Sequence, residues 1–107
     1  VRRALRLLLA ALDAAVHPAA DQRYAFLVYN ASVHFWHVAR PLLRTAALRH
    51  VAPELRSMTE RLERADDADK RWRVQMLMTC AEAFDDAEDY GAAADFAAKA
   101  HAHAREL

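Results

Sequence analysis

The stretch Met76–Ala100, MLMTCAEAFDDAEDYGAAADFAAKA, carries two apolar patterns of helical period on either side of an acidic interruption. In the first, Leu77, Cys80, Ala81 and Phe84 recur at spacings of three and four; in the second, Ala93, Phe96, Ala97 and Ala100 do the same. Asp85 to Asp89 lies between them and reads as a turn. Alanine at 81, 93 and 100 lets two helix backbones approach closely, while Phe84 and Phe96 fill the space beside the crossing. The two segments together predict a helical hairpin.

Composition extends that reading to the whole chain. The 107 residues include 26 alanines, one glycine and three prolines, and apolar residues make up 55%. Alanine is the best helix former, and a sheet-rich or dinucleotide-binding fold needs many more turn glycines, so an all-helical chain is expected. The length allows one domain at most. A start at Val1-Arg2-Arg3 without methionine is read as a piece of something longer.

Net charge is zero but polarised. Residues 1–56 hold eight basic against three acidic side chains, and residues 57–107 hold seven against twelve. A nucleic-acid binder concentrates basic residues on a face, so none is expected as a partner. No apolar run reaches the length of a membrane span. Cys80 is alone, so no internal disulfide can form.

Four more readings follow along the chain. Leu5, Leu8, Leu9 and Leu12 mark a first helix over about 1–16, ended by His17-Pro18. A second runs from about Asp21 to Leu43, with one apolar stripe through Tyr24, Leu27, Val28, Ala31, Phe35, Val38 and Leu42 and another through Phe26, Tyr29, Val33 and Trp36. Apolar on two sides, it is expected to be covered on both, and Pro41 should kink or end it. Leu48, Val51, Leu55, Met58 and Leu62 give a third helix, with Pro53 in its first turn. Asp66-Asp67-Ala68-Asp69 then links to and caps the fourth, whose apolar residues include Trp72, Val74, Leu77, Cys80, Ala81 and Phe84, and the fifth buries Ala93, Phe96, Ala97, Ala100, Ala104 and Leu107.

The terminal pair, residues 68–104, resembles a tetratricopeptide repeat. The resemblance rests on Ala81 where the helices cross, Phe84 one turn later, Tyr90 after the turn, and Ala93 and Ala100 in the second helix. Cys80 stands where leucine is usual, and Phe96 falls one position early. It implies a stack of about five antiparallel helices, an α-solenoid segment spanning residues 1–107.

No constellation points to chemistry. His34 and His37 share a helix face at i and i+3, but a zinc site needs three or four ligands and no Asp, Glu or Cys joins them within that helix. His101 and His103 lie about 200° apart around a helix and cannot grip one ion. Cys80 sits among apolar residues and reads as a buried structural thiol. The turn DDAEDYGA fails the calcium-loop pattern in both registers, since positions 3 and 12 are Ala87 and Phe96 when counted from Asp85, and positions 5 and 12 are Tyr90 and Ala97 from Asp86. Phosphate loops, G-x-S-x-G, H-E-x-x-H and C-x-x-C are absent. An enzyme is not expected, and no catalytic, cofactor or metal residue is assigned.

What remains is contact with other proteins. The polar line of the second helix, Arg23, Asn30, His34, His37 and Arg44, is one candidate interface. The inner face of the repeat-like pair, shown by the fourth helix through Gln75, Met78, Glu82, Asp85 and Asp86, is another, suited to a basic partner segment.

Two longer stretches carry a more specific resemblance. RYAFLVYNASVHFWHVARPLL (23–43), especially Arg23, Tyr24, Phe26 to Ser32, Trp36, Arg40 and Pro41, and DKRWRVQMLMTCAEAFDDAEDY (69–90) together are similar to the amino-terminal region of the cilia- and flagella-associated protein 46 family. Residues 1–20 and 90–107 match only in helical character. The resemblance implies a scaffold in a projection of the axoneme's central apparatus. Its partners would be other central-apparatus proteins, with calmodulin in the same assembly and no membrane contact. A cytosolic peptide-binding adaptor of tetratricopeptide type is the alternative, and a small metal- or histidine-using enzyme a third.

Overall fold

The computed structural model describes residues 2–14, 22–44, 47–65 and 68–107, with side chains for 2–13, 26–42, 47–65 and 68–107. The described residues are helical, with no strand among them. In order they form α1 (Arg2–Ala14), α2 (Gln22–Ala39), the single turn α3 (Pro41–Arg44), a 3-10 turn (Leu48–Val51), α4 (Ala52–Arg64), α5 (Lys70–Asp86) and α6 (Tyr90–Ala104). The molecule measures 38 × 34 × 20 Å, so it is two helix diameters thick.

The helix ends follow local chemistry. Pro41 breaks the second helix at Arg40, whose N–H still reaches the Trp36 carbonyl at 2.8 Å. Pro53 lies in the first turn of α4, where a missing N–H costs nothing. Asp69 caps α5 by accepting from the Trp72 N–H at 3.1 Å. The capping expected at Asp66 and Asp67 falls outside the described residues, as do His17 and Pro18.

The α5–α6 turn is built without glycine. Asp89 N–H bonds to the Phe84 carbonyl at 2.8 Å and Glu88 N–H to that of Asp85 at 3.0 Å, the paired bonds of a Schellman motif. The left-handed position that glycine usually takes is held by Glu88, at φ 63°. Asp89 then caps α6 directly, accepting from the Ala92 N–H at 3.1 Å. One residue therefore closes one helix and opens the next.

One core runs through all five long helices. Leu48, Val51, Leu55, Met58 and Leu62 are buried as their spacing requires, and α4 lies at the centre, touching α1, α2 and α5. Phe84 and Phe96 stack with centroids 5.5 Å apart, closing the α5–α6 hairpin that the Met76–Ala100 pattern predicts. Each helix touches the next, and pairs two apart also meet: Arg2 and Asp13 of α1 reach Glu54 and Arg61 of α4, and His103 of α6 reaches Glu63 of α4.

Three expectations fail. Helix α2 is not covered on two sides: Phe26 is 65% and Leu27 46% exposed, and Tyr29, Val33 and Trp36 are half-buried. The buried line is Val28, Ser32, Phe35 and Ala39: α1 and α4 pack on α2, and α5 reaches it at Tyr29, Ser32 and Trp36, which leaves Phe26 and Leu27 exposed. At the other end Ala104 is exposed and Leu107 is 64% exposed, since α6 meets α5 through Ala93, Phe96 and Ala100 and ends at Ala104.

Candidate interaction surface

The polar chemistry of the chain gathers where α2 crosses α5. Ser32, fully buried, donates to the Tyr29 carbonyl at 2.6 Å one turn back in α2. Its hydroxyl also accepts from the Trp72 indole Nε1–H at 2.8 Å. Tyr29 in turn donates its phenol to Asp69 Oδ2 at 3.0 Å, while Asp69 Oδ1 caps α5. Trp36 meets Trp72 edge to face, with centroids 6.1 Å apart. Four side chains thus lock two helices through bonds spanning 40 positions of sequence.

Above this floor lies an open groove lined by Trp36 of α2, Arg40 just past its end, Asp69, and Arg71, Trp72 and Gln75 of α5. Arg40 and Arg71 are exposed, and neither guanidinium makes a hydrogen bond or ion pair among the described residues.

The candidate interface residues separate into two sets. On α2, His34 and His37 are exposed and Asn30 is half-buried; the side chains of Arg23 and Arg44 lie outside the described residues. On α5, Glu82 and Asp85 are exposed beside Gln75 and Met78, on one outer face. Asp86 is turned away from that face toward Arg49, accepting from its backbone N–H at 3.3 Å and pairing with its guanidinium at 3.5 Å. No hydrogen bond or ion pair joins the two sets among the described residues. Gln75 of the α5 face also lines the groove.

Three further polar groups are structural. Glu54, 5% exposed, takes Arg2 at 2.6 Å and Arg6 at 3.4 Å, tying α1 to α4, and its Oε2 is buried without a hydrogen-bond partner among the described residues. Glu63 of α4 receives Arg73 of α5 and His103 of α6, the latter at 3.0 Å. Cys80 is buried against the Thr59 hydroxyl at 3.0 Å; burial pushes its thiol up to about 12, and the Thr59 bond only partly opposes that. Such a thiol is not a nucleophile at neutral pH. Among the described residues no three His, Cys, Asp or Glu side chains are grouped to hold a metal ion, and no helix is long and apolar enough to cross a membrane.

The sequence reading missed Ser32, Arg73 and Glu54. Ser32 had a signal, since it falls in helical register with Val28, Phe35 and Ala39. Arg73 and Glu54 had none, because their burial depends on carboxylates and guanidiniums supplied by other helices.

Fold and surface together define, among the described residues, an all-helical protein whose polar features are interhelical ties and exposed polar faces. Comparison with known proteins adds a ciliary relative. The chain is 37% identical over 76 residues, 70% of its length, to cilia- and flagella-associated protein 46 of Chlamydomonas reinhardtii. It spans 3% of the length of that relative. No family model matches the chain, and no solved structure matches it.

Proposed function

We propose that this chain is a non-catalytic scaffold segment of a cilium or flagellum, a tetratricopeptide-like stack of helices that works through protein–protein contacts in the axoneme's central apparatus. The observation that carries the reading is the 37% identity over 70% of the chain to a cilia- and flagella-associated protein. The contacts between helices two apart, which stacking of a helical repeat requires, support the solenoid part of it. The contact surfaces are the polar line of α2 with His34 and His37, extended by Arg23 and Arg44, and the α5 face with Glu82 and Asp85. The partners are other proteins of the same central-pair projection, with calmodulin in the assembly.

Tagging the protein at its own locus and extracting the cells with detergent tests this. The label is expected to stay with the axoneme and to follow its central pair. A signal that leaves with the soluble cytosol would overturn the reading and favour the peptide-binding adaptor.

A further inference from the structure

We propose that the groove between α2 and α5 is a docking site for a short acidic segment of a partner protein, with carboxylates on Arg40 and Arg71 and an apolar side chain on the Trp36–Trp72 pair. The inference rests on the geometry of this junction and holds whether or not the chain works in a cilium.

The groove offers an unusual combination of groups. Arg40 and Arg71 stand exposed on opposite walls without an ion-pair partner among the described residues, as do Arg3, Arg64 and Arg105 elsewhere, whereas Arg2, Arg6, Arg49, Arg56, Arg61 and Arg73 are ion-paired. Guanidinium is the side chain best shaped for bidentate carboxylate recognition. Between the walls lie the only two tryptophans of the chain, both half-buried. Tryptophan and arginine are the residues that most often carry binding energy at protein interfaces.

The floor is also preorganised. Trp72 has its indole N–H held by Ser32, Ser32 is held by the Tyr29 carbonyl, and the Tyr29 phenol is held by Asp69. The ring of Trp72 is therefore presented without rotamer freedom, and a ligand need not order it. The polar atom of that ring is already satisfied, so an apolar group can cover it without stranding a donor.

Charge selects the partner. Two guanidiniums call for an anion, but Asp69 sits at the base of the groove, and Glu82 and Asp85 continue the α5 face beyond it. A continuous polyanion such as a nucleic-acid backbone would be repelled there, whereas a short peptide can place a few carboxylates on the arginines alone.

Both tryptophans line the site, so the intrinsic fluorescence of the intact chain reports its occupancy. The probe is a blocked peptide of about a dozen residues alternating glutamate with phenylalanine and leucine. Controls are the same peptide with glutamine for glutamate and a single-stranded oligonucleotide of similar length. Saturable change with the acidic peptide is expected, weakened by at least about tenfold in Arg40→Gln/Arg71→Gln and by added salt. Both arginines are exposed, so an unchanged thermal melt of the variant will show that folding is intact. The proposal is overturned if the acidic peptide gives no saturable change, if the glutamine peptide binds equally well, if the double variant binds as tightly, or if the oligonucleotide binds more tightly than the peptide.

Discussion

Trp72 of α5 donates its indole N–H to the Ser32 hydroxyl of α2 over 2.8 Å, and that hydroxyl is completely buried. A side chain near the start of one helix thereby fixes the position of another helix 40 residues earlier. Ser32→Ala strands the indole donor and is expected to destabilise the chain by about 1–3 kcal/mol in urea unfolding. Trp72→Phe in the Ser32→Ala background should cost less than in the wild type, leaving a coupling of about 1 kcal/mol in the double-mutant cycle. Additive losses would show that the bond contributes nothing.

Glu54 is a buried carboxylate answered only by Arg2 and Arg6 among the described residues. Replacing both arginines with alanine leaves an uncompensated charge beside α1, and about 2–4 kcal/mol of stability is expected to go with it. Adding Glu54→Gln should then recover part of the loss. A triple variant less stable than the double variant would contradict this account.

Glu88 holds the left-handed position of the α5–α6 turn at φ 63°, where a Cβ is penalised. Glu88→Gly is expected to raise stability by about 0.5–1 kcal/mol, although glycine elsewhere usually lowers it. A rise of several degrees in melting temperature is the corresponding readout for a domain of this size.

Phe96 stacks on Phe84 and is 4% exposed, whereas Tyr90, in the first turn of the same helix, is 64% exposed. Phe96→Ala should cost about 3–5 kcal/mol and Tyr90→Ala less than about 0.5 kcal/mol. Guanidinium unfolding of the two variants separates them. Comparable losses would mean that the helical hairpin is held at its ends rather than at the aromatic pair.

Cys80 supplies a pH dependence with a definite sign. Its folded-state thiol titrates at about 12, above the ordinary value near 9, so the folded chain keeps a proton that the unfolded chain gives up in between. The contribution is complete below about pH 9 and is lost as pH rises toward about 12. The slope is up to about 1.4 kcal/mol per pH unit. Stability of the wild type should fall faster across that window than stability of Cys80→Ala. At neutral pH the thiol of the folded chain should resist alkylation until denaturant is added.

The elements themselves were largely legible. Asp69 as a cap, Pro53 in a first turn, Pro41 as a break and the Leu48–Leu62 stripe each need information from only a few neighbouring residues. Coverage of α2 was not legible, because Phe26 and Leu27 have the same apolar character as Val28 and Phe35, yet among the described residues no helix covers them. The surface followed the same rule. His34, His37, Glu82 and Asp85 are exposed as polar residues on helix faces should be, while the Arg40–Trp36–Trp72–Arg71 groove joins two segments that sequence spacing does not relate.

The sequence by itself determined that the chain is helical, that Pro41 breaks one helix, Pro53 lies in the first turn of another and Asp69 caps a third, and that Met76–Ala100 folds back as a hairpin, since propensity, capping and period are local properties. Tertiary structure alone decided which of α2's apolar faces is buried, that Ser32, Glu54 and Arg73 are interior, and that two tryptophans and two exposed arginines share one groove. Those outcomes depend on which helix arrives at which face, and the groups that settle it lie tens of residues away.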